Sequence, residues 1–409
     1  MISVWSDGIR AGRLGPHDRR GATFAYAPDV GSNRAISLTM PVRLASWDSA
    51  WGIHPVFEMN LPEGYLREKL RVAFAKATGS FDDLDLLGIV GRSQIGRLRY
   101  TALDANLDEE VPFQSVDEIL RHKRDGDLFD FMIERFAAYS GISGVQPKVM
   151  IRDEGDSGVL AKDGASRPHS FKGATHIVKF SDPDEYPWLA ANEYFCLLAA
   201  EKTGLPVRRP RLSDDGSALV IDRFDLRPDG NYLGMEDFCV LNAKATDKKY
   251  EGSYETNLFK RLKDFVRGEY RRAELEKLFT LFVLNAALRN GDAHLKNFAL
   301  IYDDVTAEPR LSDVFDIVTT TVYVPKDAMA LTLDGSTRWP DHKQLTQLGT
   351  LRCGLTPAEV KRVFERVAAG LSDALVEMNR YVGNNPSFAT IGNAMADHWR
   401  HGMAQSLTI

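Results

Sequence analysis

The sequence predicts an α+β protein of two lobes, a strand-rich one followed by a helical one, behind a smaller N-terminal α/β unit. Three observations predict this organisation. Short alternating apolar runs fill the first hundred residues, strand-like segments with one intervening helix follow residue 141, and apolar residues recur at helical spacing from residue 257 onward. Ligands tend to bind in the cleft between two such lobes, so functional residues are expected from both.

Composition limits the class of protein. Of 409 residues, 44% are apolar and 26% charged, which excludes a wholly disordered or fibrous chain. With 51 basic and 57 acidic residues, a net charge of −6 gives no global reason to coat nucleic acid or an anionic membrane. The widely spaced Cys196, Cys239 and Cys353 form neither a disulfide framework nor a cysteine zinc site. Asp7 and Arg10 interrupt any signal-peptide core, so we expect a cytoplasmic protein without membrane contact.

The N-terminal unit is predicted from turn-rich and helical patterns. The runs FAYAP (24–28) and AISLTM (35–40) suggest small strands. LPEGYLREKLRVAFAKAT (61–78) then changes to helical spacing. The unit is expected to end near Thr101, because the acidic segment 104–115 has no periodicity and is typical of a linker.

The strand-rich lobe contains three apolar segments of strand character: VQPKVMI (145–151), HIVKF (176–180) and ALVIDRFD (218–225). Between the second and third, a helix is predicted from about Tyr186 to Lys202. Glycine and proline follow its last turn, as is usual at helix ends.

Two helices define the helical lobe. AELEKLFTLFVLNAALRN (273–290) is apolar over more than one face, which predicts a buried helix. TPAEVKRVFERVAAGLSDALVEMNRYV (356–382) is amphipathic, with Thr356 as N-cap and Pro357 at the first helical position. An interruption is expected at Gly370.

The strongest chemical signal is NGDAHLKNF (290–298), directly after the buried helix. Asp292 and Asn297 have the spacing of the catalytic loop of protein kinases. In that loop the aspartate accepts the proton of the attacking hydroxyl, and the asparagine holds a magnesium ion that bridges the phosphates. The alternative is a polar loop of turn-forming residues that caps a helix.

A second carboxylate is expected beside Asn297. FALIY (298–302) reads as a strand and RLSDVFD (310–316) as its return strand, which would bring Asp316 back to Asn297. A kinase holds its second magnesium ligand there. Asp313 is the rival ligand; Asp316 is preferred because apolar residues flank it.

Three upstream features suit a nucleotide. Lys179 lies within a short strand, where a buried ammonium needs a partner such as phosphate, although an edge-strand lysine could keep its head in water. SGISGVQPK (140–148) contains Gly141 and Gly144, at which backbone amides could approach phosphate. MEDFCVL (235–241) lies at the junction of the lobes, where a kinase binds adenine, or is an ordinary linker strand.

Taken in order, these segments resemble the HipA-type serine/threonine kinases, the toxins of type II toxin–antitoxin systems. The resemblance extends over nearly the whole chain and implies a bilobal protein-kinase-like fold with an N-terminal coupling domain. It implies a coupling domain at 1–103, a linker and kinase N-lobe at 104–240, and a helical C-lobe at 241–409. The matching segments are FEMNLPEGYLREKL (57–70), LLGIVGRSQIGRL (86–98), SGVQPK (143–148), HIVKF (176–180), NEYFCLLAA (192–200), LVIDRFD (219–225), EDF (236–238), NGDAHLKNF (290–298) and LSDVFD (311–316).

The resemblance also implies residue roles. Asp292 would be the catalytic base, and Asn297 and Asp316 would hold Mg²⁺. The residues implied in binding ATP are Ser143, Gly144, Val145, Gln146, Pro147, Lys148, Lys179, Glu236, Asp237, Phe238, His294, Leu295, Lys296, Asn297, Phe315 and Asp316.

The implied activity is Mg-ATP-dependent phosphorylation of a protein, an aminoacyl-tRNA synthetase, which would inhibit translation and favour persistence. A HipB-like helix-turn-helix antitoxin is the implied partner, through which alone the chain would meet operator DNA. Two alternatives stay open: a phosphotransferase of the same fold that acts on a small molecule, and a catalytically silent co-repressor that binds the antitoxin.

One departure from the family concerns regulation. Family members often carry Ser-aliphatic-Ser in the phosphate-binding loop, or only its first serine, whereas this chain has Gly141-Ile142-Ser143. Autophosphorylation is therefore expected at Ser143, with Ser140 as the alternative. A phosphoserine adds roughly −1.5 to −2 charges, which would repel ATP and eject the loop.

Overall fold

The structure is a computed structural model that describes residues 1–18, 20–78, 81–122, 127–153 and 171–408. The chain divides into two compact units, and both are assembled from separate stretches of sequence. The first unit contains Met1–Ser181, Ser213–Thr246 and Ile301–Pro309. The second contains Asp182–Leu212, Asp247–Leu300 and Arg310–Ile409.

Strands occur mainly in the first unit. In chain order, the described strands are β1 (Ile2–Ser6), β2 (Ile9–His17), β3 (Gly21–Tyr26), β4 (Trp47–Ser49), β5 (Leu98–Ala102), β6 (Lys148–Ile151), β7 (His176–Phe180), β8 (Arg211–Leu212), β9 (Ala218–Asp222), β10 (Gly234–Asp237), β11 (Ala299–Tyr302) and β12 (Arg310–Leu311).

The three longest helices described belong to the second unit. In chain order, the described α-helices are α1 (Pro55–Glu58), α2 (Gly64–Thr78), α3 (Asp83–Val90), α4 (Val116–Arg121), α5 (Asp127–Phe136), α6 (Leu189–Lys202), α7 (Phe238–Leu241), α8 (Arg261–Phe265), α9 (Gly268–Leu288), α10 (His342–Gln347), α11 (Pro357–Asn384) and α12 (Ala389–Ser406).

The N-terminal sheet of the first unit is antiparallel, with strand order β4-β3-β2-β1-β5. At its centre, Val4 pairs with Gly12 on one side and Tyr100 on the other. Helix α1 covers the sheet with Phe57, whose ring lies 5.4 Å from that of Phe24 and 6.0 Å from that of Tyr100. Burial of these aromatic side chains supplies much of the stabilisation of this part of the unit.

A second antiparallel group in the same unit consists of β6, β7 and β9, with β7 in the middle. Every residue of β7 is buried, as expected for a central strand covered on both faces. Val149, Val178 and Val220 belong to the same apolar cluster as Val4 and Phe57. The N-terminal sheet therefore shares one apolar core with β6 and β7, the strands that carry Lys148 and Lys179.

In the second unit, α6 and α12 fix the segment that follows Asp316. Asn192 on α6 accepts a hydrogen bond from the backbone nitrogen of Thr319 at 2.8 Å and donates to its carbonyl at 3.0 Å. Trp399 on α12 donates to the Thr319 hydroxyl at 2.7 Å. Among the helices described, none has the length and apolarity needed to cross a bilayer.

The predicted helices are largely confirmed, with two corrections. Helix α6 begins at Leu189 rather than Tyr186, because Trp188 has a left-handed backbone with φ of 64°. Helix α11 has the expected Thr356 cap but runs unbroken, so the interruption expected at Gly370 is wrong. This glycine instead permits close packing, since an added Cβ would lie 2.7 Å from the backbone nitrogen of Thr203.

Some strand predictions need correction too. Residues 35–40 make only an isolated pairing of Ser37 with Met40, so the strand expected there is wrong. The return strand expected over 310–316 is reduced to β12, and Asp316 itself has a left-handed backbone with φ of 51°. The junction 235–241 contains the end of β10 and then α7, so it is neither wholly strand nor wholly linker.

Candidate active site

The catalytic loop, residues 290–297, begins where α9 ends. Arg289 terminates the helix with a left-handed φ of 61°. Asn290 then donates two hydrogen bonds back to Asn285, one between backbone atoms at 3.0 Å and one between side chains at 2.6 Å. The next amide, that of Gly291, donates to the Thr320 hydroxyl at 2.7 Å. The end of a buried helix therefore fixes where the loop starts.

Asp292 is the residue of this loop that reaches the surface. Its side chain is 46% exposed, whereas its neighbours in residues 290–297 are buried. Its backbone amide donates to the side chain of Asn290 at 3.1 Å, and the hydroxyl of Tyr250 donates to its Oδ1 at 2.6 Å. The carboxyl group is thus held in place and still open to a substrate hydroxyl.

Asn297 joins the two aspartates within the second unit. Its Nδ2 donates to the backbone carbonyl of Asp292 at 2.7 Å and lies 3.4 Å from that of Asp316. The predicted approach of Asp316 to Asn297 is confirmed. The rival carboxylate of Asp313 forms an ion pair of 2.6 Å with Arg208 instead.

The atoms at this site suit a magnesium ion. Because Nδ2 of Asn297 makes the hydrogen bonds, Oδ1 would be its atom available to a metal ion, and the Asp316 carboxylate would be the second oxygen donor. Mg²⁺ prefers oxygen ligands and typically uses one or two carboxylates beside substrate phosphates. In the described part of the chain, no group of three or more His, Cys, Asp or Glu side chains offers a further metal site.

The surroundings of Asp292 disfavour the ionised form of its carboxyl group. Although nearly half of the side chain is exposed, the nearby protein displaces water and raises the pKa of Asp292, and the carboxylates of Asp316 and Asp327 raise it further. The Tyr250 hydrogen bond and the Lys249 ammonium lower it. Asp292 therefore lies among negative charges, and these two neighbours favour its ionised form.

His294 is neutral in this setting. Burial lowers its pKa to about 3, and the neighbouring Lys249 adds to the effect. Its ring lies edge-on to that of Tyr250, with centroids 4.9 Å apart. Leu295 and Lys296 are buried, and Phe315 is half-buried.

The phosphate loop, residues 143–148, belongs to the first unit. Its Ser143 hydroxyl donates to Glu63, at the start of α2, while Gly144 has a φ of 122° that only glycine adopts readily. Val145 is 62% exposed, and the Gln146 side chain donates to the Phe180 carbonyl at 3.1 Å. The exposed part of the loop thus presents backbone and a serine hydroxyl.

The two lysines of this region lie opposite each other. Lys148 on β6 pairs with Lys179 on β7, and both are almost completely buried. The Lys148 ammonium donates to the Ser143 carbonyl at 3.2 Å. The two ammonium-bearing side chains therefore lie at facing positions of the sheet.

The predicted hinge residues are buried in the first unit. The Glu236 carboxylate accepts hydrogen bonds from Ser37 at 2.7 Å and Tyr302 at 2.5 Å, and burial raises its pKa. Asp237 caps α7 by accepting from the amide of Val240, and Phe238 is fully buried. These three side chains therefore support the fold of the first unit.

Sequence reasoning missed several residues around Asp292: Lys249, Tyr250, Thr320 and Asp327. Thr320 and Asp327 are hydrogen-bonded to each other, and Tyr250 is 42 residues from the aspartate it contacts. No spacing rule links such positions. In the sequence the only signal was a tyrosine next to a lysine, and such a pair indicates little about function by itself.

An α+β fold with a kinase-type Asp–Asn loop defines the class of this protein. Residues 140–375 match the family model of the HipA-like C-terminal domain, and residues 2–101 match that of the HipA N-terminal domain. The first match alone spans more than half of the chain, so the chain belongs to the HipA family. The resemblance read from the sequence is confirmed.

Known relatives agree with this assignment. Two proteins of Sinorhizobium fredii, named "Putative kinase Y4mE" and "Putative kinase Y4dM", are each 28% identical to this chain, over 81% and 68% of its length and 80% and 65% of theirs. The solved HipA of Shewanella oneidensis MR-1, in complex with HipB and operator DNA, is 17% identical. It superposes with a TM-score of 0.67 over 100% of this chain and 97% of that one, which confirms the predicted fold class.

Proposed function

We propose that the protein is a Mg-ATP-dependent serine/threonine protein kinase that acts as the toxin of a toxin–antitoxin pair. The observation that carries the proposal is the convergence of Asp292, Asn297 and Asp316 in the second unit, joined by the Asn297 amide. Membership of the HipA family and the kinase names of its relatives support the same function.

In this proposal Asp292 accepts the proton of the acceptor hydroxyl while the hydroxyl oxygen attacks the γ-phosphorus of ATP. Its exposure allows a protein substrate to reach it, and the buried remainder of the loop holds its backbone in place. Positioning of this kind supplies most of the rate in phosphoryl transfer. Mg²⁺, when bound to Oδ1 of Asn297 and the carboxylate of Asp316, would offset charge on the phosphates.

The first unit would supply the groups that bind phosphate. Lys148 and Lys179 are buried ammonium groups at facing positions of β6 and β7, and the phosphate loop leads directly into β6. Charge-assisted hydrogen bonds from such groups are roughly twice as strong as neutral ones. These features support the proposed binding of ATP by residues 143–148 and Lys179.

Self-modification is proposed at Ser143 rather than Ser140. Ser140 is fully buried; its hydroxyl donates to the Phe136 carbonyl at 2.7 Å and accepts from the Met150 amide at 2.9 Å. Ser143 is partly exposed and bonds to the Glu63 carboxylate. A phosphate on Ser143 would replace that attraction with repulsion from Glu63 and would expel the loop.

The substrate and partner follow from the family. An aminoacyl-tRNA synthetase is the proposed substrate, whose phosphorylation would slow translation. A HipB-like antitoxin is the proposed partner, supported by the HipB and operator DNA in the Shewanella complex. Contact with DNA is proposed to occur only through that antitoxin.

The test compares cells that express wild-type protein, Asp292→Asn and Asp373→Asn, in which the last changes an exposed residue of α11. Phosphoproteomics should show new phosphoserine or phosphothreonine, foremost on a synthetase, with wild type and Asp373→Asn. Asp292→Asn should produce none, because loss of a general base costs ~10²–10⁴-fold. Equal phosphorylation by Asp292→Asn would overturn the proposed function. A small molecule that gains phosphate while no protein does would favour the small-molecule alternative.

Ser143 is tested by intact mass after incubation of the pure full-length protein with Mg-ATP or with ATP and EDTA. One added phosphate that requires Mg²⁺, maps to Ser143 and disappears in Ser143→Ala is expected. Phosphate retained by Ser143→Ala and lost in Ser140→Ala would instead identify Ser140. An unmodified wild-type protein would contradict self-phosphorylation itself.

A further inference from the structure

The segment that carries Tyr250 is hydrogen-bonded to the catalytic loop at two backbone positions. The Leu295 amide donates to the Lys249 carbonyl at 3.2 Å, and the Tyr254 hydroxyl donates to the Ala293 carbonyl at 3.0 Å. Tyr250 lies between these anchors. Its position relative to the loop is therefore fixed by the fold.

The side chain of Tyr250 contacts several groups, and the Lys249 ammonium lies 5.7 Å from the centroid of its ring. Its hydroxyl donates to Oδ1 of Asp292 at 2.6 Å, and its ring lies edge-on to His294 with an interplanar angle of 79°. The residue is 50% exposed, so its burial contributes little to the core. The His294 contact and the hydrogen bond to Asp292 together place the hydroxyl against the carboxylate.

We propose that Tyr250 is the positioning residue that orients Asp292 for proton transfer. This inference rests on the kinase function proposed above. With Oδ1 engaged by the phenol, Oδ2 of Asp292 takes the proton of the acceptor hydroxyl. As that proton leaves, the hydroxyl oxygen forms its bond to the γ-phosphorus, the bond from phosphorus to the β,γ-bridging oxygen breaks, and ADP departs with the electron pair.

The charges around Asp292 explain why a donor is needed there. The carboxylates of Asp316 and Asp327 repel it, and the Lys249 ammonium attracts it. Of the other titratable groups that interact with it, His294 is uncharged at neutral pH and Tyr186 and Tyr254 are neutral phenols. Tyr250 is thus the neutral donor that binds the carboxylate directly, and without its bond the repelled group would rotate freely.

The test removes the hydroxyl alone with Tyr250→Phe, and uses Tyr270→Phe as the matched control. Tyr270 lies on α9 and is 53% exposed, close to the exposure of Tyr250. ADP formation by the full-length protein with Mg-ATP is the readout. Tyr250→Phe should lower kcat about tenfold, the effect of losing a hydrogen bond to a charged group, and change the KM for ATP less than twofold. Tyr270→Phe should match wild type.

A double-mutant cycle separates positioning from a structural role. If Tyr250 acts through Asp292, Tyr250→Phe should cause no further loss of kcat in an Asp292→Asn background. A tenfold loss in both backgrounds would show a structural effect and overturn the inference, as would a Tyr250→Phe protein as active as Tyr270→Phe. If Asp292→Asn alone is fully active, the proposed kinase function fails instead, so the two failures are distinguishable. Melting temperatures of all variants confirm that they are folded.

Discussion

The catalytic loop and the phosphate loop are built in opposite ways. In the catalytic loop only the side chain of Asp292 reaches the surface, and the rest of residues 290–297 is buried. In the phosphate loop residues 143–147 are all at least partly exposed, and Val145 is 62% exposed. The first is a fixed platform for one functional group; the second is a surface segment with a buried lysine at its end.

The two loops also differ in the hydrogen bonds that hold them to the rest of the protein. The catalytic loop is bonded to Asn285 on α9, to Thr320 and to Lys249, which lie in three separate parts of the second unit. The phosphate loop is attached by Ser143 to Glu63, and to the end of β7 by the Gln146 side chain and by the Pro147 carbonyl, which accepts from the Phe180 amide at 2.9 Å. A base must be placed within a fraction of an ångström, whereas a segment with few buried contacts opens at low cost. This comparison indicates that residues 290–297 are held more rigidly than residues 143–147.

The largest expected effect concerns Asp316, the proposed magnesium ligand beside the catalytic loop. Asp316→Asn should lower ADP formation by about 10²-fold or more, because loss of one preorganised electrostatic contact costs ~10²–10³-fold in kcat. The matched control is Asp313→Asn, which removes a nearby carboxylate that pairs with Arg208. Steady-state rates across a Mg²⁺ titration are the measurement. A greater loss in Asp313→Asn than in Asp316→Asn would show that the wrong carboxylate was chosen.

A smaller effect is expected from the lysine pair beside the phosphate loop. Lys179→Met keeps the length of the side chain and removes its charge, so the KM for ATP should rise about tenfold through loss of a charge-assisted contact. Lys343→Met, at an exposed position of α10, is the control. An unchanged KM in Lys179→Met would remove this lysine from the nucleotide site.

The rigidity of the catalytic loop is tested directly by Gly291→Ala. The new Cβ would lie 2.0 Å from Oδ2 of Asp327 and 2.7 Å from the carbonyl of Ala328, so the loop must shift. Overpacking of this kind typically costs ~1–3 kcal/mol, which urea unfolding measures as a lower midpoint. Gly268→Ala, at the open first position of α9, should be neutral or slightly stabilising. Equal midpoints for the two variants would show that the loop adapts.

Local patterns predicted what depends on a few neighbouring residues. The spacing of Asp292 and Asn297 marked the loop after α9 in which these two residues are hydrogen-bonded, and Thr356 identified the start of α11, where a capping box with Glu359 is formed. The position of Asp316 near Asn297 depends on one further reversal of the chain after the strand at 298–302, and it was predicted as well. In each case the deciding interactions lie within a short stretch of chain, where periodicity and turn chemistry are strong guides.

Interactions between distant segments were not predictable in this way. Tyr250 meets Asp292 and Ser143 meets Glu63 across 42 and 80 residues, and packing alone brings them together. The wrong strand at residues 35–40 has the same origin. Ser37 hydrogen-bonds to Glu236, 199 residues away, instead of a neighbouring strand, since strand preference yields readily to tertiary context.

The smallest expected effect tests the freedom of the phosphate loop. Glu63→Ala removes the acceptor of the Ser143 hydroxyl, a single partly buried hydrogen bond, so local opening should become easier without a change in global stability. Hydrogen exchange followed by mass spectrometry should show amide exchange in residues 141–147 accelerated about two- to tenfold. Glu68→Ala, on the exposed face of α2, removes a carboxylate close in sequence and should leave that exchange unchanged. If neither variant changes it, the loop is held by its backbone contacts with β7, and the two loops are more alike in rigidity than their exposure indicates.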